Sequence, residues 1–346
     1  MNRKSVTFAD MEMQKRLKRF SNHTLMKLLI IIDWVSLEKI LSKADLRNTN
    51  NYGRDSYSPL IMFKIMLLQK FYDLSDAAIE ERLYFDYLFM HFAGISTDMP
   101  IPDESTICRW RKRFLDQDII ESAFAEFNRQ LSQNNIVLNS GAIIDATLVA
   151  SQARPRKQTI ITVEPTGDEE LPAETPHIEV ECVESVDSEA RWVKKGKKSL
   201  YGYKSTNTTN FEGFISSVHT TPANVPDCKL FKISIDKANL EDDSFVAADK
   251  GYDSAENREF LETNKLQDAI MRKKKRNSDE NSDENFFNKL RNKLISKFRY
   301  PVERTFGSLK NRFGYRRSRY IGLKKTHQSN VMGAIAYNLV RFANLL

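Results

Sequence analysis

A chain of 346 residues with a net charge of +7 and three cysteines can bury a sizeable core, and its length allows two domains. The longest apolar run, residues 28–32, falls far short of the roughly 20 residues of a membrane span, and residues 1–4 lack the apolar core of a signal peptide, so an intracellular protein with no membrane partner is expected. Cys108, Cys182 and Cys228 stand singly, without a C-x-x-C pair or a Cys/His cluster, which argues against structural zinc and a disulfide framework.

Residues 1 to about 50 read as helical, with Leu25, Leu28, Leu29 and Ile32, then Val35, Leu37, Ile40 and Leu41, at helix-like spacing. A polar loop over residues 48–53 breaks the pattern, and a strongly apolar helix follows from Pro59. Ser75 reads as the N-cap of the next helix, with acids in its first turn. A further helix begins after residues 102–106 and runs through Ile107, Trp110 and Phe114, with Arg109, Arg111, Lys112 and Arg113 on its other faces. A capped, basic helix preceded by another suits a helix-turn-helix over about 75–116, although a solvated surface helix would look much the same.

Ile136-Val137-Leu138 and Ala142-Ile143-Ile144 switch the reading from helix to strand and set a boundary between residues 1–135 and 136–346. The run through Ile144 ends in Asp145, and a second apolar run, residues 244–248, ends in Asp249. Both read as buried strands, although periodicity alone does not separate them from buried helix, and an acid at each strand end points into one cleft. Residues 160–190 carry many acids, neither Lys nor Arg, and Pro165, Gly167, Pro172 and Pro176; a flexible acidic insertion over about 155–192 is expected. A basic patch over 191–198 restores the positive sign. A hairpin with its turn near Glu212-Gly213 follows, then a turn over 221–227 into a helix near Leu230, the strand ending at Asp249, a helix over about 254–263, a short strand at 269–271 and a low-complexity loop over 272–284.

Glu303 is a lone carboxylate among Arg299, Tyr300, Arg304, Phe306, Lys310, Arg312 and Phe313, and on a helix Lys310 falls two turns further along the same face. One acid among bases suits a site that holds a divalent cation beside a polyanion. Pro301 suits a helix's first turn and kinks its interior, which would leave Arg299 just ahead of the helix. From Arg272 to Lys325 bases far outnumber acids, a footprint for nucleic acid, though any one cluster alone would read as a solvated face. A basic segment over 316–320 and a last amphipathic helix lead to Leu346.

Four motifs in this order, Ile144-Asp145-Ala146-Thr147, Thr221-Pro222-Ala223-Asn224, Ala248-Asp249-Lys250-Gly251-Tyr252 and Val302-Glu303-Arg304-Thr305-Phe306-Gly307 with Lys310, give a chain that resembles a DDE transposase of a bacterial insertion sequence, of insertion-sequence superfamily four/five. The resemblance covers most of the chain. It implies an α/β fold, a ribonuclease H-like catalytic domain with a mixed sheet flanked by helices, preceded by an all-α DNA-binding domain. It assigns Asp145 to the first strand, Asp249 to the fourth and Glu303 to a later helix, as the catalytic metal ligands. Arg299, Glu303 and Lys310 match three positions of the family's Tyr-Arg-Glu-Lys signature; Ser296 stands at the tyrosine position, and Tyr300 is the alternative source of its phosphate contact.

The implied cofactor is a pair of Mg²⁺ ions, with Mn²⁺ as a substitute, in two-metal phosphoryl transfer. The implied partners are the terminal inverted repeats and target DNA, both double-stranded, with a homodimer formed on DNA in a cytoplasmic, nucleoid-associated setting. Arg299 and Lys310 would grip phosphates near the cut, and Arg109, Arg111 and Arg113 are the candidates for reading the repeats. Two rivals stand beside this reading: a nuclease on the same fold that hydrolyses without strand transfer, and a decayed copy that only binds DNA.

Overall fold

The computed structural model describes residues 8–44, 56–162, 177–274 and 283–346. Its first part is helical: α1 (Phe8–Leu17), α2 (Thr24–Ile31), α3 (Trp34–Leu41), α4 (Pro59–Tyr72), α5 (Asp76–Phe85), α6 (Tyr87–Ala93), α7 (Glu104–Asp116) and α8 (Ile119–Gln133). The expected loop at 48–53 lies outside the described residues. Side chains at the N-caps accept the first free N–H groups, which fixes where helices start: Ser58 from Leu60 ahead of Pro59, Ser75 from Ala78, and Asp103 from Thr106. The whole of α6 intervenes between α5 and α7, so these two pack without the short turn of a simple helix-turn-helix.

The strands are β1 (Gly141–Ala150), β2 (Arg156–Thr162), β3 (His177–Val183), β4 (Arg191–Lys195), β5 (Lys198–Thr209), β6 (Ile215–Pro222), β7 (Phe245–Ala248) and β8 (Gln267–Ile270). The main sheet runs β4-β5-β1-β7-β8, with β6 on the edge of β5 beyond β4. Pairings β4–β5, β5–β6 and β1–β5 are antiparallel, and β1–β7 and β7–β8 are parallel. Helices α9 (Phe231–Ala238) and α10 (Ala255–Thr263) make the crossovers into the parallel half. This is the mixed, helix-flanked sheet of the expected ribonuclease H-like class. Residues 136–140 are loop, not strand; Ile136 and Leu138 are apolar because they are buried there.

The expected acidic insertion is more ordered at its flanks than its composition suggests. β2 and β3 pair antiparallel from Arg156↔Val183 to Thr162↔His177. Alternation in His177-Ile178-Glu179-Val180-Glu181-Cys182-Val183 carries the period of a strand, a signal outweighed by the acid count. The tip, residues 163–176, lies outside the described residues.

Two long helices complete the fold, α11 (Asp283–Arg312) and α12 (Leu323–Ala343). Pro301 lies inside α11, so Arg299 belongs to the helix interior and not to the segment before it. The last helix is not amphipathic but central: from Asn330 to Leu339 every residue is buried. Its polar residues mimic an outer face and are in fact satisfied inside. Asn338 exchanges two hydrogen bonds with the backbone of Ile215, at 2.9 and 2.8 Å, and Asn330 donates to Thr220 at 2.9 Å.

One core therefore joins α2–α4, α6–α8 and α12 to the face of the sheet carrying Ile143, Val149, Phe214, Ile215, Val218 and Ala247, across the expected boundary near 135. A smaller core lies on the opposite face, where Ile144, Val246 and Ala248 meet Phe231, Ile235, Tyr252 and Leu261. Among the described residues no helix is long and apolar enough to cross a membrane.

Candidate active site

Sheet register builds the site. The parallel pairing of β1 with β7 ends at Ile144↔Ala248, so Asp145 and Asp249 are the next residue on each strand. Side chains alternate along a strand, which turns both acids toward the face of Ile143 and Ala247, under α11. Asp249 ends its strand, as expected. Asp145 does not: β1 continues to Ala150 beside β5, with Asp145 opposite Asn207, and only its β7 neighbour stops. Asp249 leaves the sheet by accepting from Lys250 N–H at 2.6 Å and capping the turn Lys250–Tyr252.

Arg299 of α11 fills the opening where β7 turns away. Its Nη2 donates to Asp145 Oδ2 at 2.8 Å, and its Nη1 lies 3.7 Å from Asp249 Oδ1. The guanidinium is largely buried, so charge neutralisation by these acids is what permits it there. Burial pushes the Asp145 carboxyl above its ordinary value; Arg299 and the Ala146 N–H pull the other way, and Asp249 adds to the rise.

The third expected carboxylate stands apart. Glu303 is one turn beyond Arg299 on α11, exposed, and makes no ion pair among the described residues. Nor does any group of three Asp, Glu, His or Cys among the described residues come together closely enough to hold a metal ion. The hard oxygen donors of Asp145 and Asp249, already bridged by one cation, suit a divalent ion; Glu303 is not gathered with them.

Lys310 is half-buried. Burial, Lys195 and Arg316 lower its pKa, and Asp145 works against them, which places its ammonium within the field of the acid. Ser296 turns its hydroxyl back onto Asn292 O at 2.6 Å, while Tyr300 is exposed.

Residues given no role by their sequence also converge here. Lys204 on β5 pairs with Asp227 at 2.6 Å and donates to Val225 O at 2.7 Å, tying the turn after β6 to the sheet. Asp227 packs against Gly251, and burial together with Asp227 and Asp145 raises the Tyr252 hydroxyl well above its ordinary pKa. The acid closing the Pro-flanked turn at 222–227 was the available signal.

The three arginines expected to read DNA have different surroundings. Arg109 is exposed on the first turns of α7, bonded to Ser105 and Thr106. Arg113 stacks on Trp110 at 4.8 Å. Arg111 turns inward: it forks onto Asp76, reaches Gln69 at 3.2 Å and stacks over Tyr320 at 4.9 Å. Its charge is consumed in joining α7 to α5 and the C-terminal segment, which leaves Lys112 as the other exposed base of that helix.

A mixed sheet that sets two acids on adjacent parallel strands beneath a basic helix is the framework of a polynucleotidyl transferase. Residues 138–339 match the family described as Transposase DDE domain, and residues 12–113 match Transposase domain (DUF772). The transposase for insertion sequence element IS1106 of Neisseria meningitidis serogroup B is 35% identical over 240 residues, covering 69% of this chain and 78% of that protein. The cryo-EM structure of a piggyBac transposase synaptic complex with hairpin DNA superposes with a TM-score of 0.45 at 12% identity, over 93% of this chain and 75% of that one. The chain belongs to the DDE transposases of bacterial insertion sequences, and is a DNA transposase of a family that uses divalent metal ions.

Proposed function

We propose that the chain cleaves DNA at the terminal inverted repeats of an insertion sequence and joins the freed end to target DNA, using Mg²⁺, or Mn²⁺ in its place. The observation that carries this reading is the placement of Asp145 and Asp249 one residue past the last β1–β7 pair, on one face, held by a single guanidinium. Asp145, Asp249 and Glu303 are the residues that would hold the metal. Divalent metal held by these acids would supply activation of the attacking oxygen and charge stabilisation of the leaving oxygen in an in-line phosphoryl displacement.

The remaining work falls to the chain's own side chains. Lys310 and Arg299 hold phosphates beside the scissile bond, fixing the strand without reading its sequence. A water attacks first and frees a 3′-hydroxyl, which then attacks a phosphate of the target. The helical region of residues 1–135 reads the repeats, with Arg109 and Lys112 on α7 as its exposed bases and Arg113 half-buried beside them against Trp110. Two ends are joined in one event, so the working unit on DNA is a homodimer, nucleoid-associated in the cell.

The test is Mg²⁺-dependent joining of a labelled duplex bearing the element's ends to a plasmid, by wild type and Asp249→Ala. Joined product that vanishes in the variant is expected. Cleavage without joining would favour the nuclease, and binding with neither reaction would mark a copy that only binds DNA.

A further inference from the structure

The β4–β5 hairpin is a second basic element beside the site. Its turn, Gly196-Lys197, has Gly196 at φ +61 with nothing within 4 Å of its Cα substituent position, so the tip stands in open space. Lys194, Lys195, Lys197 and Lys198 are all exposed, and none makes an ion pair among the described residues. Lys195 and Lys198 are directly opposed across the strands, an arrangement of like charges that disfavours the hairpin when nothing neutralises it. On the other face Trp192 pairs with Tyr201 at 5.3 Å and remains about half exposed, 48%.

The hairpin's base is tied to the site's own framework. Gly202, where β4 and β5 part, pairs with Ala150 at the end of β1, and the Arg316–Ser318 backbone hydrogen-bonds along the other side of Ala150 at 3.1 and 2.8 Å. Lys195 and Arg316 both lie near enough to Lys310 to depress its pKa, and Asp145 lies near enough to oppose them. A line of positive charge thus runs from the acids through Lys310 to the hairpin tip.

We propose that the β4–β5 hairpin is a DNA-gripping arm, whose lysines hold the phosphates of duplex DNA next to the scissile bond. This rests on the reading of the acids as the cleavage site. A two-stranded ribbon has the dimensions of the major groove, and its exposed lysines supply the cations that a polyanion requires. A blander role exists for lysines on an edge strand, which is to block pairing with another chain. That role needs a charge on β4 alone; here the bases extend round the turn onto β5 and lead back to Lys310.

The experiment compares the full chain with two double variants, Lys195→Ala/Lys198→Ala in the hairpin and Lys229→Ala/Lys265→Ala elsewhere. Affinity for a duplex carrying the element's end is measured by fluorescence anisotropy across a KCl series without divalent metal, alongside thermal melting. The hairpin variant is expected to lower the slope of log affinity against log salt by about 1.8, at roughly 0.9 for each phosphate that is no longer neutralised, with an unchanged or higher Tm, while the control keeps the wild-type slope. Equal slopes in the two variants would overturn the proposal, as would aggregation of the hairpin variant with an unchanged slope, which is the signature of edge protection. Binding is read without catalysis, so absence of Mg²⁺-dependent cleavage by wild type would sink the cleavage-site reading separately.

Discussion

Arg299 reaches Asp145 from 154 residues further along the chain, Nη2 to Oδ2 at 2.8 Å, and its other nitrogen faces Asp249 at 3.7 Å. A guanidinium thereby holds the position between two carboxylates that a divalent cation would compete for. In Arg299→Ala the acids face each other without a counter-ion, a change expected to cost about 3 kcal/mol as for other broken buried pairs. Added Ca²⁺ or Mg²⁺ should then raise Tm more in the variant than in wild type. Equal shifts on metal addition would show that the acids do not form the metal site.

The same burial sets a pH dependence. Asp145 has its folded-state pKa raised above the ordinary 3.8, so between the two values the native chain binds more protons than the unfolded one. This group's contribution to stability is full below the unfolded pKa and is lost as pH rises through the folded pKa. Metal ligation needs the ionised form, so metal-dependent cleavage should fail on acidification at a higher pH than an exposed Asp would dictate. Asp145→Asn should flatten stability against pH across that window, read by thermal melts in citrate and acetate buffers; a variant curve parallel to wild type would refute the assignment.

Arg109 and Arg111 lie two residues apart on α7 and should behave oppositely. Arg111→Ala breaks a pair whose side chains are 12% and 28% exposed, and is expected to destabilise by about 3 kcal/mol while leaving the salt dependence of DNA binding unchanged. Arg109→Ala should leave Tm within experimental error and reduce the salt slope by about 0.9. A reversal of the two outcomes would move the DNA contact to Arg111.

Legibility in the sequence followed the range of the interactions involved. Asp145 and Asp249 were readable because each closes an apolar run, and parallel register then brings adjacent strand ends together. The helix cap at Ser75 was readable for the same reason, since a cap is decided within three residues. Arg111 looked like a free base because its partner Asp76 is 35 residues away. Pro301 argued for a helix start, yet α11 continues through it, with Val302, Thr305, Phe306 and Leu309 buried along its inner side. Likewise α12 read as amphipathic because Gln328, Asn330 and Asn338 resemble a wet face until β6 and α7 are seen to supply their partners.

Gly333 shows how tightly that central helix is seated. A Cβ at this position would lie 2.6 Å from Tyr315 Cε2, and the Tyr315 hydroxyl is fixed by its bond to Asn330 O. Gly333→Ala gains helix propensity but forces Tyr315 out of place, and overpacking of this kind costs about 1–3 kcal/mol. A lowered Tm is expected. A raised one would mean that Tyr315 repacks freely and that the fit at α12 is loose.

Lys70 gives the sharpest prediction away from the acids. Its ammonium donates to Ser329 Oγ at 2.6 Å, linking α4 to α12, and shares a small polar cavity with Arg111, Arg317 and Arg319. Burial, with Arg319 and Arg111 adding to it against Asp73, lowers its pKa from 10.5 to about 7. Between those values the unfolded chain holds a proton that the native chain has released, so stability rises with pH there, by at most about 1.4 kcal/mol per pH unit; below about pH 7 the full cost of the buried charge is present. Wild type should therefore melt higher at pH 9 than at pH 7, and Lys70→Met should remove most of that rise while stabilising the protein at pH 6. The methionine keeps a flexible, unbranched side chain of nearly the same length without a charge, which separates the electrostatic cost from loss of packing. Parallel melting curves for the two proteins across pH 6–9 would show that Lys70 keeps an ordinary pKa, with water or a counter-ion reaching it from the cavity.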